Sequence, residues 1–348
     1  MEWHHGGDWA GFYEAQGSLP LDFSANVSPL GVPAGVRAAI CAAATEADRY
    51  PDGACRALVR ALAQRHGLRA EQVLCGAGAS DLLYRLVRAA EPKRALLTAP
   101  SFGEYAAALE TVHASVSYYY IEDDFIIKEN ILDSISRDIK LVILCQPNNP
   151  DGRTVDPSLA RRVLARCREV GARLVVDESF VDFLDEPDRF SLTPLLARWP
   201  ELVIVRAFTK FYGMAGLRLG YALSADEAFL SRAARMGPPW AVSGVAQAAG
   251  LAALRETDYA ARLRALIRTE RPFLYRALSE LGFRVVPGEA NFLLFESDRP
   301  LLSPLAQRGI ALRGCGDFKG LDERWYRTAV RTREENERLI TALREVIG

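Results

Sequence analysis

Only five basic residues of this chain are lysines, and one of them stands where a primary amine could do chemistry. Lys210 lies in Thr209-Lys210-Phe211, just after the apolar run 202–205, and Gly216-Leu217-Arg218-Leu219-Gly220 follows. Burial at a strand end disfavours the ammonium form, and a neutral amine attacks carbonyl carbon. Three other patterns could serve it. Gly76-Ala77-Gly78-Ala79-Ser80-Asp81 is a glycine turn that opens the helical run 82–90. Such a turn offers free N–H groups and the positive end of a helix dipole to a phosphate. Val175-Val176-Asp177-Glu178 puts acids at the carboxyl end of a strand, where ligand crevices open in α/β folds. Gln146-Pro147-Asn148-Asn149-Pro150-Asp151-Gly152 ends another strand and, taken alone, reads as a turn. Each pattern has an ordinary structural explanation. Together they supply an amine, an acid and a phosphate cradle in one frame.

The frame comes from alternation of apolar β-rich runs with amphipathic stretches. Residues 95–98, 116–121, 141–145, 173–176, 202–205 and 217–223 are expected as strands, several of them apolar on both faces. Residues 102–110, 129–137, 157–170 and 193–199 are expected as helices, with Asp156 as N-cap and Pro157 at the first helical position. This predicts an α/β core with a largely parallel sheet. Residues 242–281 form one long helical stretch that Pro272 should kink or divide. Short strands at 283–286, 291–296, 310–313 and 326–330, then a helix over 334–347, predict an α+β lobe beginning near residues 236–240. Residues 118–140, rich in Ile, Asp and Tyr, read as a surface strand and helix.

Composition narrows the partners. The 348 residues carry 43 Lys+Arg against 44 Asp+Glu, a net charge of −1, with no basic stripe of the kind nucleic acid requires. No apolar run approaches the ~20 residues that span a bilayer, so no membrane is expected. The first nine residues, MEWHHGGDW, lack the cationic and apolar regions of a secretory leader, which predicts a cytoplasmic protein. Cys41, Cys55, Cys75, Cys145, Cys167 and Cys315 show no C-x-x-C spacing and read as reduced core residues. The four histidines are too scattered to predict a metal site.

The order G-x-G, P-N-N-P-x-G, V-D-E, T-K and G-L-R-x-G resembles the fold-type-I pyridoxal phosphate enzymes of the aspartate aminotransferase superfamily, over nearly the whole chain. The resemblance implies a three-layer α/β/α large domain over residues 49–238 and a smaller α+β domain over 239–348. Residues 1–48 would form an N-terminal arm and a segment joining the small lobe. It implies pyridoxal 5'-phosphate as cofactor, with Lys210 as the lysine that bonds it and Asp177 as the acid on its ring nitrogen. Asn149 matches the partner of the ring hydroxyl. Ala79, Ser80, Thr209 and Arg218 match the phosphate cup. Tyr50 matches a tyrosine that reaches the neighbouring subunit's phosphate, which implies a homodimer with shared sites. Arg327 matches the arginine that binds the substrate α-carboxylate. Two positions depart from the pattern: Phe180 stands where the aminotransferases usually carry a tyrosine, and Ala207 where a serine is frequent.

Further segments narrow the resemblance. His5-Gly6-Gly7, the run 21–31 (LDFSANVSPLG), Asp177-Glu178-Ser179-Phe180-Val181-Asp182-Phe183 and Ala329-Val330-Arg331 are similar to the threonine-phosphate decarboxylases of cobalamin biosynthesis. So are Thr209-Lys210-Phe211-Tyr212 and Gly320-Leu321-Asp322. In that pattern His5, Gly6, Asn26, Asn149, Arg313 and Arg327 contact a phosphorylated amino acid. The expected reaction is decarboxylation of L-threonine O-3-phosphate to (R)-1-amino-2-propanol O-2-phosphate. Histidinol-phosphate aminotransferases share the core motifs and are the alternative, and serine phosphate is an alternative substrate.

Overall fold

The structure, a computed structural model, describes residues 5–348. Residues 1–4, which hold His4 and the start of the stretch read for a leader, lie outside the described residues. Seven strands form the central sheet, in the order Val73–Gly76, Gly220–Ser224, Leu202–Ala207, Arg173–Asp177, Leu141–Cys145, Arg94–Ala99, Ser115–Tyr120. Only Gly220–Ser224 runs against its neighbours. Every residue of Leu141–Cys145 is buried because helices cover both faces. Side chains alternate between those faces. Ile143, Val175 and Val203 pack with Leu82, Leu86 and Leu109 on one side. Val142, Leu174 and Ile204 pack with Leu159, Val163 and Cys167 on the other. The helix Pro157–Val170 starts where its sequence says it should. The Asp156 carboxylate accepts from the N–H groups of Ser158 and Leu159, and Gly171 ends the helix at φ 70°.

The second lobe is a four-stranded antiparallel sheet, ordered Arg313–Gly314, Trp325–Ala329, Phe292–Glu296, Arg284–Val285. The helices Thr257–Glu280 and Arg333–Ile347 pack together in this lobe. Leu21–Asp22 pairs in parallel with Ile310–Ala311, so the N-terminal segment is stitched to this lobe. The helix Gly244–Ala253 packs instead on Ala34–Ala44 and Arg56–His66.

Several local expectations are corrected. Pro272 does not divide the long helical stretch, because the helix Thr257–Glu280 continues through it. An internal proline costs about 3 kcal/mol. Burial of Leu263, Ile267, Leu274 and Leu278 on the same helix, each worth roughly 1.5–3 kcal/mol, outweighs that cost. The break falls at residues 254–256, where the N–H groups of Arg255 and Glu256 turn to the carbonyls of Ala252 and Ala253 in a tightened last turn. Residues 129–137 and 193–199 are helical only as the 3-10 segments Glu129–Ser134 and Thr193–Arg198. The strand expected over 217–223 begins at Gly220, because Ala215–Leu217 is a 3-10 turn and Arg218 sits in the left-handed region at φ 54°. Of the six cysteines, Cys41 is exposed rather than part of the core, and all six are free thiols. Among the described residues no helix is long and apolar enough to cross a membrane.

Candidate active site

The parallel strands end together, and their ends carry the chemistry. Asp177 is the last residue of its strand and is in register with Val205 of the adjacent strand. That strand runs into the single helical turn Phe208–Phe211, which holds Thr209 and Lys210. The reversed strand starts at the same edge, where Gly220 pairs with both Gly76 and Ala207. A Cβ on Gly220 would lie 2.9 Å from the Ala79 nitrogen, so glycine lets this strand approach the helix start. Gly78 has φ 94°, and a Cβ there would lie 2.9 Å from Arg218 Nη2. Gly78 thus lets the Arg218 guanidinium lie against the N-terminus of Ala79–Ala90, whose first turn has no side-chain cap. Ala79, Ser80, Thr209 and Arg218 therefore converge on one cradle with an unsatisfied positive end.

This cradle is one end of a cavity of about 590 Å³. Asp177, Lys210 and Asn149 line its middle, and His5, Gly6, Asn26, Arg313 and Arg327 also line it. Tyr50 lies outside the cavity. It is 83% exposed, and its ring sits 4.8 Å from that of Trp240. Phe180 lines the wall and meets Phe292 edge-on at 5.0 Å, so the tyrosine hydroxyl usual in the aminotransferases is absent there.

Charge in the cavity is unbalanced toward the cation. Burial, then the nearby Arg327 and Arg218, lower the Lys210 amine to about 8. Burial also lowers Arg327, to about 10, which leaves it charged at neutral pH. Burial raises the Asp177 carboxyl, against the pull of three donors. Its Oδ1 accepts from the Ser179 N–H at 2.9 Å and the Ser179 hydroxyl at 2.5 Å, and its Oδ2 accepts from the Tyr105 hydroxyl at 2.8 Å. A carboxylate fixed in this way is stabilised by a cation placed opposite it. Arg327 donates to Asn149 Oδ1 and, at 3.0 Å, to the Ser24 carbonyl. Two buried polar atoms in the cavity wall, Arg327 Nε and Asn26 Oδ1, have no hydrogen-bond partner among the described residues. Arg313 donates to both oxygens of Asp317, at 2.6 and 2.8 Å, within one turn. The donor set fits a group with a phosphate, a ring nitrogen and a carbonyl carbon. The uncapped helix start with Arg218 suits the first, Asp177 the second and the depressed Lys210 amine the third.

Some functional contacts escape a reading by motif. Ser179 is visible in principle, because a hydroxyl two residues after an aspartate is a common turn partner. Tyr105 reaches Asp177 across a sequence separation of 72, and the Ser24 carbonyl reaches Arg327 across 303, with no local signal for either. The two conspicuous neighbours of site residues do structural work. Glu178 is buried in an ion pair with Arg206 at 2.7 Å. Asn148 donates to the Pro100 carbonyl at 3.0 Å and accepts from Ser101.

The family model for aminotransferase class I and II matches residues 20–343. The chain belongs to that family. It is 35% identical over 333 residues to the threonine-phosphate decarboxylase of Salmonella typhimurium, covering 94% of this chain and 91% of that protein. It is 37% identical over 329 residues to the histidinol-phosphate aminotransferase of Symbiobacterium thermophilum, covering 93% and 89%. The crystal structure of the histidinol-phosphate aminotransferase from Clostridium acetobutylicum superposes with a TM-score of 0.88 at 27% identity, covering 93% of this chain and 98% of that one. Pyridoxal 5'-phosphate is the cofactor of the family, and Lys210, Asp177, Asn149 and the Ala79–Ser80–Thr209–Arg218 cradle are the residues that would hold it here.

Proposed function

We propose that the protein decarboxylates L-threonine O-3-phosphate, giving (R)-1-amino-2-propanol O-2-phosphate and CO2, as a step of cobalamin biosynthesis in the cytoplasm. One observation carries this reading. Arg313 and Arg327 are register partners on adjacent antiparallel strands, and both line the cavity together with His5 and Asn26. Two separate anion holders suit a substrate that carries both a carboxylate and a phosphate. Histidinol phosphate has no carboxylate, so under the second reading the carboxylate holder would serve the 2-oxoglutarate bound in its turn and not the phosphorylated substrate.

Bound pyridoxal phosphate supplies an electron sink for the pair left when a bond at the substrate Cα breaks. The protein decides which bond that is, because only a bond standing perpendicular to the ring can deliver its electrons. Arg327, supported by Asn149 and Ser24, holds the carboxylate so that the C–COO⁻ bond takes that position. Arg313, His5 and Asn26 hold the phosphate and set the rotation about Cα. Asp177 would hold the proton of the cofactor's ring nitrogen, which would supply the electron sink. As CO2 leaves, the vacant position on Cα takes a proton, and the Lys210 ammonium delivers it from Nζ. Lys210 lines the cavity beside Asp177 and Asn149, where Nζ would hold that proton.

Purified protein given threonine phosphate should release CO2 and the amino alcohol phosphate in equal amounts. Amino transfer from histidinol phosphate to 2-oxoglutarate without CO2 would replace this reading with the second one, which the 37% identity to a histidinol-phosphate aminotransferase favours. Serine phosphate lacks one methyl group and should be a poorer substrate by about 1–3 kcal/mol.

We infer a homodimer with shared sites as the working unit. The support is Tyr50, an exposed aromatic beside Trp240 that its own cavity does not use. A mixture of Tyr50→Ala and Lys210→Ala chains should then regain activity that neither has alone, whereas no regain would leave Tyr50 without this role.

A further inference from the structure

Glu104 is a paradox in a cavity built for anions. It and Asp177 are the acidic side chains in a wall that also holds Lys210, Arg218, Arg313 and Arg327, with the His5 imidazole beside them. A bare carboxylate there would repel a substrate phosphate. Both its oxygens are engaged, however. Oε1 lies 3.0 Å from Nε2 of His5, and Oε2 accepts from the Tyr84 hydroxyl at 3.0 Å. The bond to His5, and then that to Tyr84, hold the Glu104 carboxyl below the usual range against partial burial.

His5 begins a strap tied down at its other end. A Cβ on Gly6 would lie 2.2 Å from the Ser24 carbonyl oxygen, so only glycine allows the chain to lie this close. The Gly7 N–H donates to Ser24 Oγ at 2.8 Å, and the Ser24 carbonyl in turn accepts from Arg327. The strap therefore runs from Glu104, at the edge of the large sheet, to the residue that holds Arg327 on the small lobe.

We propose that Glu104 is a positioning residue that fastens His5 across the cavity, and that this fastening makes the site prefer a phosphorylated amino acid over its unphosphorylated form. The proposal rests on the reading of a phosphorylated substrate given above. Glu104 acts through the imidazole: its 3.0 Å contact to Nε2 orients the ring in the cavity wall.

The test is Glu104→Gln in the holoenzyme. That change keeps the side chain's shape and its contact with Tyr84 but removes the charge. Binding of L-threonine O-3-phosphate and of L-threonine is read from the cofactor absorption band, a readout independent of the reaction that follows. Affinity for the phosphorylated form should fall about tenfold. Affinity for threonine should hold, kcat should change less than about threefold, and amide exchange at Gly7 should quicken. Tyr84→Phe, which frees the other oxygen of Glu104, should produce a smaller loss in the same direction. Equal weakening toward both amino acids would mean that Glu104 binds the shared amino-acid part, and unchanged binding and exchange would mean that it positions nothing. Either result overturns the proposal. Transamination without CO2 by the unaltered protein would instead overturn the decarboxylase reading and leave this affinity contrast intact as a test of Glu104.

Discussion

Lys210, Asp177 and the Ala79–Ser80 turn stand at the ends of adjoining strands whose registers are fixed by a buried sheet, whereas His5, Asn26, Arg313 and Arg327 are brought together from segments some 300 residues apart. The sheet-end wall depends on local chain direction. A strand ends, a turn follows, and the side chain is placed. The opposite wall depends on contacts between distant pieces, such as Arg327 with Ser24 or His5 with Glu104. The difference separates two tasks. The sheet end holds the residues that would hold the cofactor, and under the proposed function the assembled wall would choose which substrate enters and which of its bonds faces the ring. Relatives named for two different activities each match this chain over more than nine-tenths of its length.

The two walls should fail differently when broken. Lys210→Ala should have the largest effect, a loss of activity on the order of 10⁴-fold or more, because no other amine among the described residues lines the cavity. It should also lose the visible absorption of covalently held cofactor, and a protein that keeps that band would contradict the assignment. Asp177→Asn comes next. It removes the fixed negative charge while leaving Tyr105 and Ser179 in place, and should lower kcat about 10³-fold with a small change in KM. Arg327→Lys tests the other wall. The charge remains but the fork that spans Asn149 and Ser24 is lost, at a cost of about 2–3 kcal/mol. That loss should appear as KM raised about 30- to 100-fold with the cofactor band unchanged. A loss of cofactor would show that the walls are not separable.

The same contrast explains what could be read from the chain alone. The sheet-end residues were legible because each sits within a short motif beside an apolar run, so element and function are announced together. The strand starts were less so. Gly220 rather than Leu217 opens its strand because Arg218 must first adopt a left-handed conformation to face Gly78. Arg313 and Arg327 could be named only through the resemblance, since a pairing across two strands leaves no local pattern. Tyr105 and Glu104 were not named at all, because each acts through a contact set by tertiary packing. Pro272 misled for a related reason: its local cost is real, but long-range burial of the helix exceeds it.

The smallest effect is a shift in pH dependence, and it measures how strongly the walls sense each other. Burial is the main cause that brings Lys210 from 10.5 to about 8, and the positive charges of Arg327 and Arg218 are the next. Only the neutral amine captures the cofactor's carbonyl. Uptake of pyridoxal phosphate by the apoprotein should therefore quicken about tenfold per pH unit below pH ~8 and level off above it, rather than near the ~10.4 of an ordinary lysine. The folded value lies below the unfolded one, so between pH 8 and 10.5 the unfolded chain binds the extra proton. The apoprotein should accordingly gain stability as pH rises through that window. Arg327→Gln removes one of the two like charges and should move the uptake plateau to higher pH. If the plateau does not move, burial and Arg218 set the amine, and the small lobe does not tune the lysine.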